Sequence, residues 1–249
     1  MTVGRTIARQ VRYENTAFWR NPASAFFTFA FPLIFMVLFN LILSGNLGAA
    51  DAARFYTPAI ITFSIVNACY TSIAMTVSLA RDEGILKRVR GTPLPGWAYL
   101  VARMLHAVIV ALLLVVIVAV TGAVVFGVPL PIGQMPLLLV TLVVAGASFC
   151  ALGLALAGII PNAAAAPAIV NATVLPLFFI SDVFIQMDRS SILSAIGNLF
   201  PISHLASLLQ AVWSPVLRPF DPVDLVWVAA WGVLGLVVAV RTFTWEPRA

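Results

Sequence analysis

The sequence predicts an all-α polytopic membrane protein: six transmembrane helices, an N-terminal amphipathic interfacial helix and an extracellular re-entrant helical hairpin before the last span. Three observations predict it. Of 249 residues, 62% are hydrophobic and only 9% charged, against roughly 25% charged in a soluble domain. Charges are absent over long gaps, from Arg20 to Asp51, Arg54 to Arg81, Arg103 to Asp182 and Asp224 to Arg241. Runs such as 108–120 are apolar on every side, unlike the alternation of a membrane β-strand.

Residues 1–22 come first. Arg5, Arg9 and Arg12 recur at helical spacing on one face, and Val3, Ile7, Val11 and Phe18 on another. A basic face opposite an apolar one suits a helix lying in the headgroup layer, with Trp19 and Arg20 anchored at the interface. Set against the roughly 20 apolar residues of a spanning helix, the gaps then place spans at 24–43, 55–80, 98–125, 137–159, 164–180 and 225–240. The first run is longer than the core of a cleavable signal. The whole chain reads as one transmembrane domain.

Pro32, Pro167 and Pro176 fall within these spans, where proline kinks a helix. The fourth span is rich in small residues, among them Gly146, Ala147, Ala151, Gly153, Ala157 and Gly158, which let helices approach closely. Segment 190–213 holds two short apolar patterns broken at Pro201. Each is too short to span, so together they read as a hairpin dipping into the outer leaflet or capping the bundle. Asp182, Asp188 and Arg189 precede it; Arg218, Asp221 and Asp224 follow.

Orientation follows from Lys and Arg, which favour the cytoplasmic side. With six spans, Arg5, Arg9, Arg12, Arg20, Arg81, Lys87, Arg88, Arg90, Arg103, Arg241 and Arg248 share one side; Arg54, Arg189 and Arg218 lie on the other. Both termini are therefore expected in the cytoplasm. The net charge of +5 reflects this bias and does not point to nucleic acid.

The densest charge is in the connector 81–96, which holds the sole lysine, Lys87. Asp82 and Glu83 are expected at the start of a short helix, where acids complement the dipole. Glu83 precedes Lys87 by four residues, the favourable order for a pair. Ile85, Leu86 and Val89 form an apolar ridge, and Gly91 and Pro93 stop the helix. A rigid amphipathic peg of this kind suits docking in a partner's groove.

Other chemistry is excluded. No G-x-x-x-x-G-K-[ST] phosphate loop can be built around Lys87. His106 and His204 are predicted on opposite sides of the membrane, which argues against a metal site. Cys69 and Cys150 both fall within spans and read as packing residues. The spans are nearly free of the buried carboxylates that proton-coupled transporters need. An energy source must come from elsewhere.

Asn21-Pro22 before the first span, ARDEGILKRVR at 80–90 and GTPLPGWAYLVARML at 91–105 carry a resemblance that extends over essentially the whole chain. The sequence resembles the permease subunits of ABC type-2 exporters, particularly the daunorubicin-resistance-like multidrug group of bacteria. The resemblance implies a bacterial inner-membrane permease that exports drug-like or lipid-like molecules. The working unit would hold two permeases, the same or homologous chains, and two copies of a separate ATPase. ATP and Mg2+ would sit on that partner, with no cofactor bound by this chain. Arg81, Asp82, Glu83, Gly84, Leu86, Lys87 and Arg88 would form the ATPase contact. A path for amphipathic cargo is expected along Phe35, Phe39, Asn67, Tyr70, Asn171 and Phe178, since aromatic and amide groups suit such ligands. Export of lipid, glycolipid or polysaccharide, and transport without ATP, are the alternatives.

Overall fold

The computed structural model describes residues 3–47, 49–92, 94–181, 183–184, 192–215 and 218–246, with backbone only at 43–47 and 49–50. Pro93, Asp182, Asp188, Arg189, Ser190, Ser191 and Arg248, all invoked above, lie outside the described residues. Among the described residues the regular structure is entirely helical. The helices are α1 (Val3–Trp19), α2 (Pro22–Leu47), α3 (Ala49–Val66), α4 (Ser72–Asp82), α5 (Ile85–Arg90) and α6 (Gly96–Phe126). They continue with α7 (Met135–Ile159), α8 (Ala166–Ile180), α9 (Ile192–Gly197), α10 (Pro201–Trp213) and α11 (Pro222–Thr242). A π-turn at Asn67–Thr71 joins α3 to α4 without breaking the rod.

Among the described residues, five helical stretches are long and apolar enough to cross a bilayer: Pro22–Ile42, Asp51–Asp82, Gly96–Phe126, Ile132–Ile159 and Pro222–Thr242. The predicted fifth span, 164–180, corresponds to the shorter apolar helix α8 of 15 residues. At 1.5 Å per residue it covers about 22 Å, less than the ~30 Å hydrocarbon core. Pro167 lies in its first turn rather than inside it, where no backbone bond is lost. Pro32 and Pro176 are internal as expected, and so is Pro58 in α3, which the sequence reading did not single out.

The hairpin is a pair of short helices, α9 and α10, divided before Pro201. All of α10 except Gln210 is buried, against α3, α7 and α11. At the heart of the bundle an aromatic cluster joins α2, α3, α8 and the segment after it. Phe39 stacks on Tyr56 at 5.3 Å, Phe35 lies 5.6 Å from Phe63, Phe63 5.0 Å from Phe178, and Phe39 5.2 Å from Phe184.

The small residues of α7 are used within the chain. A Cβ on Gly146 would crowd Val108 of α6, and one on Gly153 would meet the Tyr70 carbonyl at 2.7 Å. The α7–α11 contact is closest where Gly232 lies against Ser148 and Gly235 against the backbone of Leu152. Without a hydrophobic drive between helices in lipid, such close backbone approach supplies the packing energy. We predict that Gly232→Val forces α11 off α7 and lowers stability by roughly 1–3 kcal/mol, read as a fall in the thermal unfolding midpoint of the purified protein.

Candidate functional site

Two regions near the Arg-rich end of the bundle combine polar chemistry with irregular backbone. The first is the corner between α4 and α5. Helix α4 ends at Asp82, Glu83 caps it, and Gly84 turns the chain with φ 68°. A side chain there would meet left-handed strain of about 1–2 kcal/mol, so glycine is what permits the sharp bend. Helix α5 then runs for six residues.

This overturns two expectations. Asp82 and Glu83 stand at the end of the preceding helix, not at the start of the peg, because the left-handed turn separates them from α5. For the same reason Glu83 and Lys87 lack a common helical register, and no ion pair joins them among the described residues. Instead Arg88 Nη2 donates to the Glu83 carbonyl at 3.3 Å.

The connector's residues divide into an anchor and a display. Leu86 is fully buried, and Ile85 and Val89 are half-buried beside it. Arg81 is also buried. Its Nη1 donates to the Ala157 carbonyl at 2.9 Å, and its Nη2 to Ile160 at 2.7 Å and Pro161 at 3.3 Å. These are carbonyls at the end of α7 and just beyond it, where a helix leaves orphan acceptors and attracts a cation. Asp82 completes the lock, accepting from the Ala163 backbone N–H at 2.5 Å. The end of α4 is thereby fastened to the α7–α8 turn. Glu83, Lys87, Arg88 and Arg90 face outward, a surface of one acid and three bases.

The second region is a cavity of about 540 Å3 enclosed by α1, α2, the α3–α4 rod and α6. One end is polar. Glu14, on the inward face of α1, accepts from Gln10 at 2.9 Å and pairs with Arg103 of α6 at 3.4 Å. Arg103 also donates to the Thr76 carbonyl at 2.8 Å and lies over the Tyr99 ring at 5.3 Å. The apolar part is bounded by the buried Phe63, Val110 and Leu114 and by the exposed Phe31. The π-turn forms part of the wall through Asn67, Ala68 and Thr71.

Of the six residues expected along a path, Asn67 lines this cavity. Phe35, Phe39 and Phe178 belong to the aromatic cluster directly behind it, reached through Phe63. Tyr70 bonds Thr173 at 3.0 Å, tying the π-turn to α8, and Asn171 is exposed on α8. Glu14 escaped the sequence reading, although it shares a helix face with Ile7, Val11 and Phe18. A lone acid on an apolar stripe was the available signal. Arg81's inward turn left no such signal, since its acceptors lie some eighty positions away.

At the opposite end, His204 of α10 bonds Asp224 at 2.6 Å through Nδ1 and the Asn198 carbonyl at 2.8 Å through Nε2, stacked on Trp227. Both ring nitrogens face acceptors, an arrangement only the imidazolium satisfies. Burial alone would lower its pKa, but the bonds to Asp224 and Asn198 and the Asp224 charge prevail and hold it above the ordinary histidine value. No group of three or more metal-ligating side chains occurs among the described residues.

Two predictions follow from these contacts. Replacing Arg81 with Gln leaves three carbonyls without a cation and costs roughly 3–5 kcal/mol, while Arg81→Lys recovers only part because one ammonium cannot span the fork; denaturant unfolding measures both. The stabilisation from His204 is fully present below the unfolded histidine pKa, about 6.5, and is lost as pH rises through the elevated folded value. The difference in melting temperature between the native chain and His204→Gln should therefore shrink as pH rises.

A family model described as ABC-2 type transporter matches residues 7–213, from within α1 to the end of α10. No curated protein matches the chain.

Proposed function

The chain belongs to the ABC-2 type transporter family and is a permease component of an ABC-type transporter; on that premise we propose that it is driven by ATP hydrolysed on a separate subunit docked against α5. The observation that carries this reading is the division of labour at the α4–α5 corner. Its basic outer face is free for a partner, while Arg81, Asp82 and Leu86 bind the corner into the bundle. Family members typically pair with an ATP-binding subunit, and a short peg seated in a groove is a recurring recognition mode.

In this reading Glu83, Lys87, Arg88 and Arg90 touch the ATPase and read its charge. Gly84 sets the angle of the peg. Arg81 and Asp82 act behind the contact: a push on α5 moves α4 and, through the buried guanidinium, the α7–α8 turn as well. Two permeases and two ATPases form the unit, with Mg2+ and ATP on the ATPases. The chain sits in a bacterial inner membrane with both termini in the cytoplasm, as the arginine asymmetry favours.

The cargo is hydrophobic or amphipathic, drug-like in the manner of the daunorubicin-resistance-like group, or lipid-like. The cavity supports this over a polysaccharide, since its volume falls within the roughly 300–1,000 Å3 of small-molecule sites and part of its wall is apolar. The path continues from Asn67 towards Phe35, Phe39 and Phe178, with Tyr70 and Asn171 on the α8 side.

The test is co-purification with the cognate ATPase. The double reversal Lys87→Glu and Arg88→Glu should weaken association by roughly tenfold or more, about 1.4 kcal/mol, with the melting temperature unchanged because both side chains are exposed. An undiminished complex that still hydrolyses ATP at the native rate overturns the docking assignment.

A further inference from the structure

We infer that the cavity between α1, α2, the α3–α4 rod and α6 is a ligand site for an amphiphile with a net-neutral polar head, the head at Arg103 and Glu14 and the apolar part along Phe31, Phe63 and Leu114. The assignment rests on the preceding reading only in calling this ligand cargo; the site stands on its own geometry.

Three observations converge on it. The cavity wall holds the charged pair Glu14 and Arg103 together with the apolar side chains of Phe31, Phe63 and Leu114. Its α2 side runs from Asn21 to Pro32, about 16 Å along a helix axis, so one molecule meets both environments. Finally, the π-turn interrupts regular hydrogen bonding at this wall, and such bulges recur at functional sites.

The head-group class follows from charge. Glu14 and Arg103 carry opposite charges and are both largely buried, with 11% and 16% of their side chains exposed. An anionic head meets Glu14 unfavourably, and a cationic head meets Arg103. A zwitterionic head places each end against its complement, and the unoccupied donor capacity of Arg103 is available to it. The pair was made against each other across α1 and α6, so a ligand entering here exchanges one neutral arrangement for another and leaves no bare charge in low dielectric.

The experiment uses the full chain in lipid nanodiscs without the ATPase, so that failure of the docking reading leaves it intact. Ser72→Cys, exposed in the cavity wall, is labelled with N-ethylmaleimide; the unsubstituted chain, whose Cys69 and Cys150 are both buried, is the blank. Dodecylphosphocholine, dodecyl sulfate and dodecyltrimethylammonium share one tail and differ in head. At ten times its dissociation constant and below micelle formation, the phosphocholine should slow labelling by about tenfold, and the two charged probes by less than about twofold. Phe63→Trp, which fills the apolar part, should abolish protection. The double variant Glu14→Gln, Arg103→Gln should protect alike with all three heads. Thr28→Cys, partly exposed on the α2 wall, repeats the measurement should Ser72→Cys fold poorly. Absence of protection at both cysteines overturns the site, and equal protection by all three probes in the otherwise native chain overturns the head-group assignment.

Discussion

A buried guanidinium organises the α4–α5 end of this protein. Arg81 lies in the last turn of α4, and α7 ends against Pro161, leaving carbonyls that no backbone N–H can reach. Covered by the Arg81 side chain, those acceptors need a protein donor in place of water. The guanidinium supplies three donors in one plane, each charge-assisted bond contributing about 1.5–3 kcal/mol, and cancels the negative end of α7 at the same time. Neither partner is stable alone: the carbonyls would be orphaned and the cation stranded. Together they make the ends of α4 and α7 one body, and Asp82 extends it to residue 163.

That body explains how a six-residue helix is held in place. A helix so short has little stability of its own. Here α5 is held by Leu86 from below, by Gly84 at its entry and by the Arg81 lock behind it. Its solvent face is thus left to Lys87, Arg88 and Arg90, of which Arg88 also bonds the Glu83 carbonyl. The same economy appears in α7, whose glycines bring α6, α11 and the α3–α4 rod close enough for backbone contact. Two charged pairs inside, Glu14 with Arg103 and His204 with Asp224, are made across helices. One pair edges the cavity and the other secures the α9–α10 hairpin against α11.

Much of this was legible beforehand, and the misses share a cause. The long apolar helices, the amphipathic N-terminal helix and the hairpin break at Pro201 follow from apolar periodicity, run length and proline, which are local. The basic face of α1 was visible, yet its inward acid was not weighed, because the partner of Glu14 is on α6. Asp82 and Glu83 read as the beginning of a helix when composition alone is considered. The backbone instead breaks at Gly84, whose left-handed turn became evident only once α5 had to fold back beneath α4. Arg81 and Leu86 look like surface and ridge residues in the linear pattern; packing turns both inward.

By itself the sequence determined what the solvent dictates. A bilayer demands long uninterrupted apolar helices, keeps charge at their ends and tolerates few exceptions, so hydropathy and arginine placement already specify helices, connectors and the exposed basic peg. Only the tertiary structure decided which charges are buried and paired and which helices line the cavity. Those features arise from contacts between residues far apart in the chain, and the energy of a charge in low dielectric depends on the partner that folding brings to it.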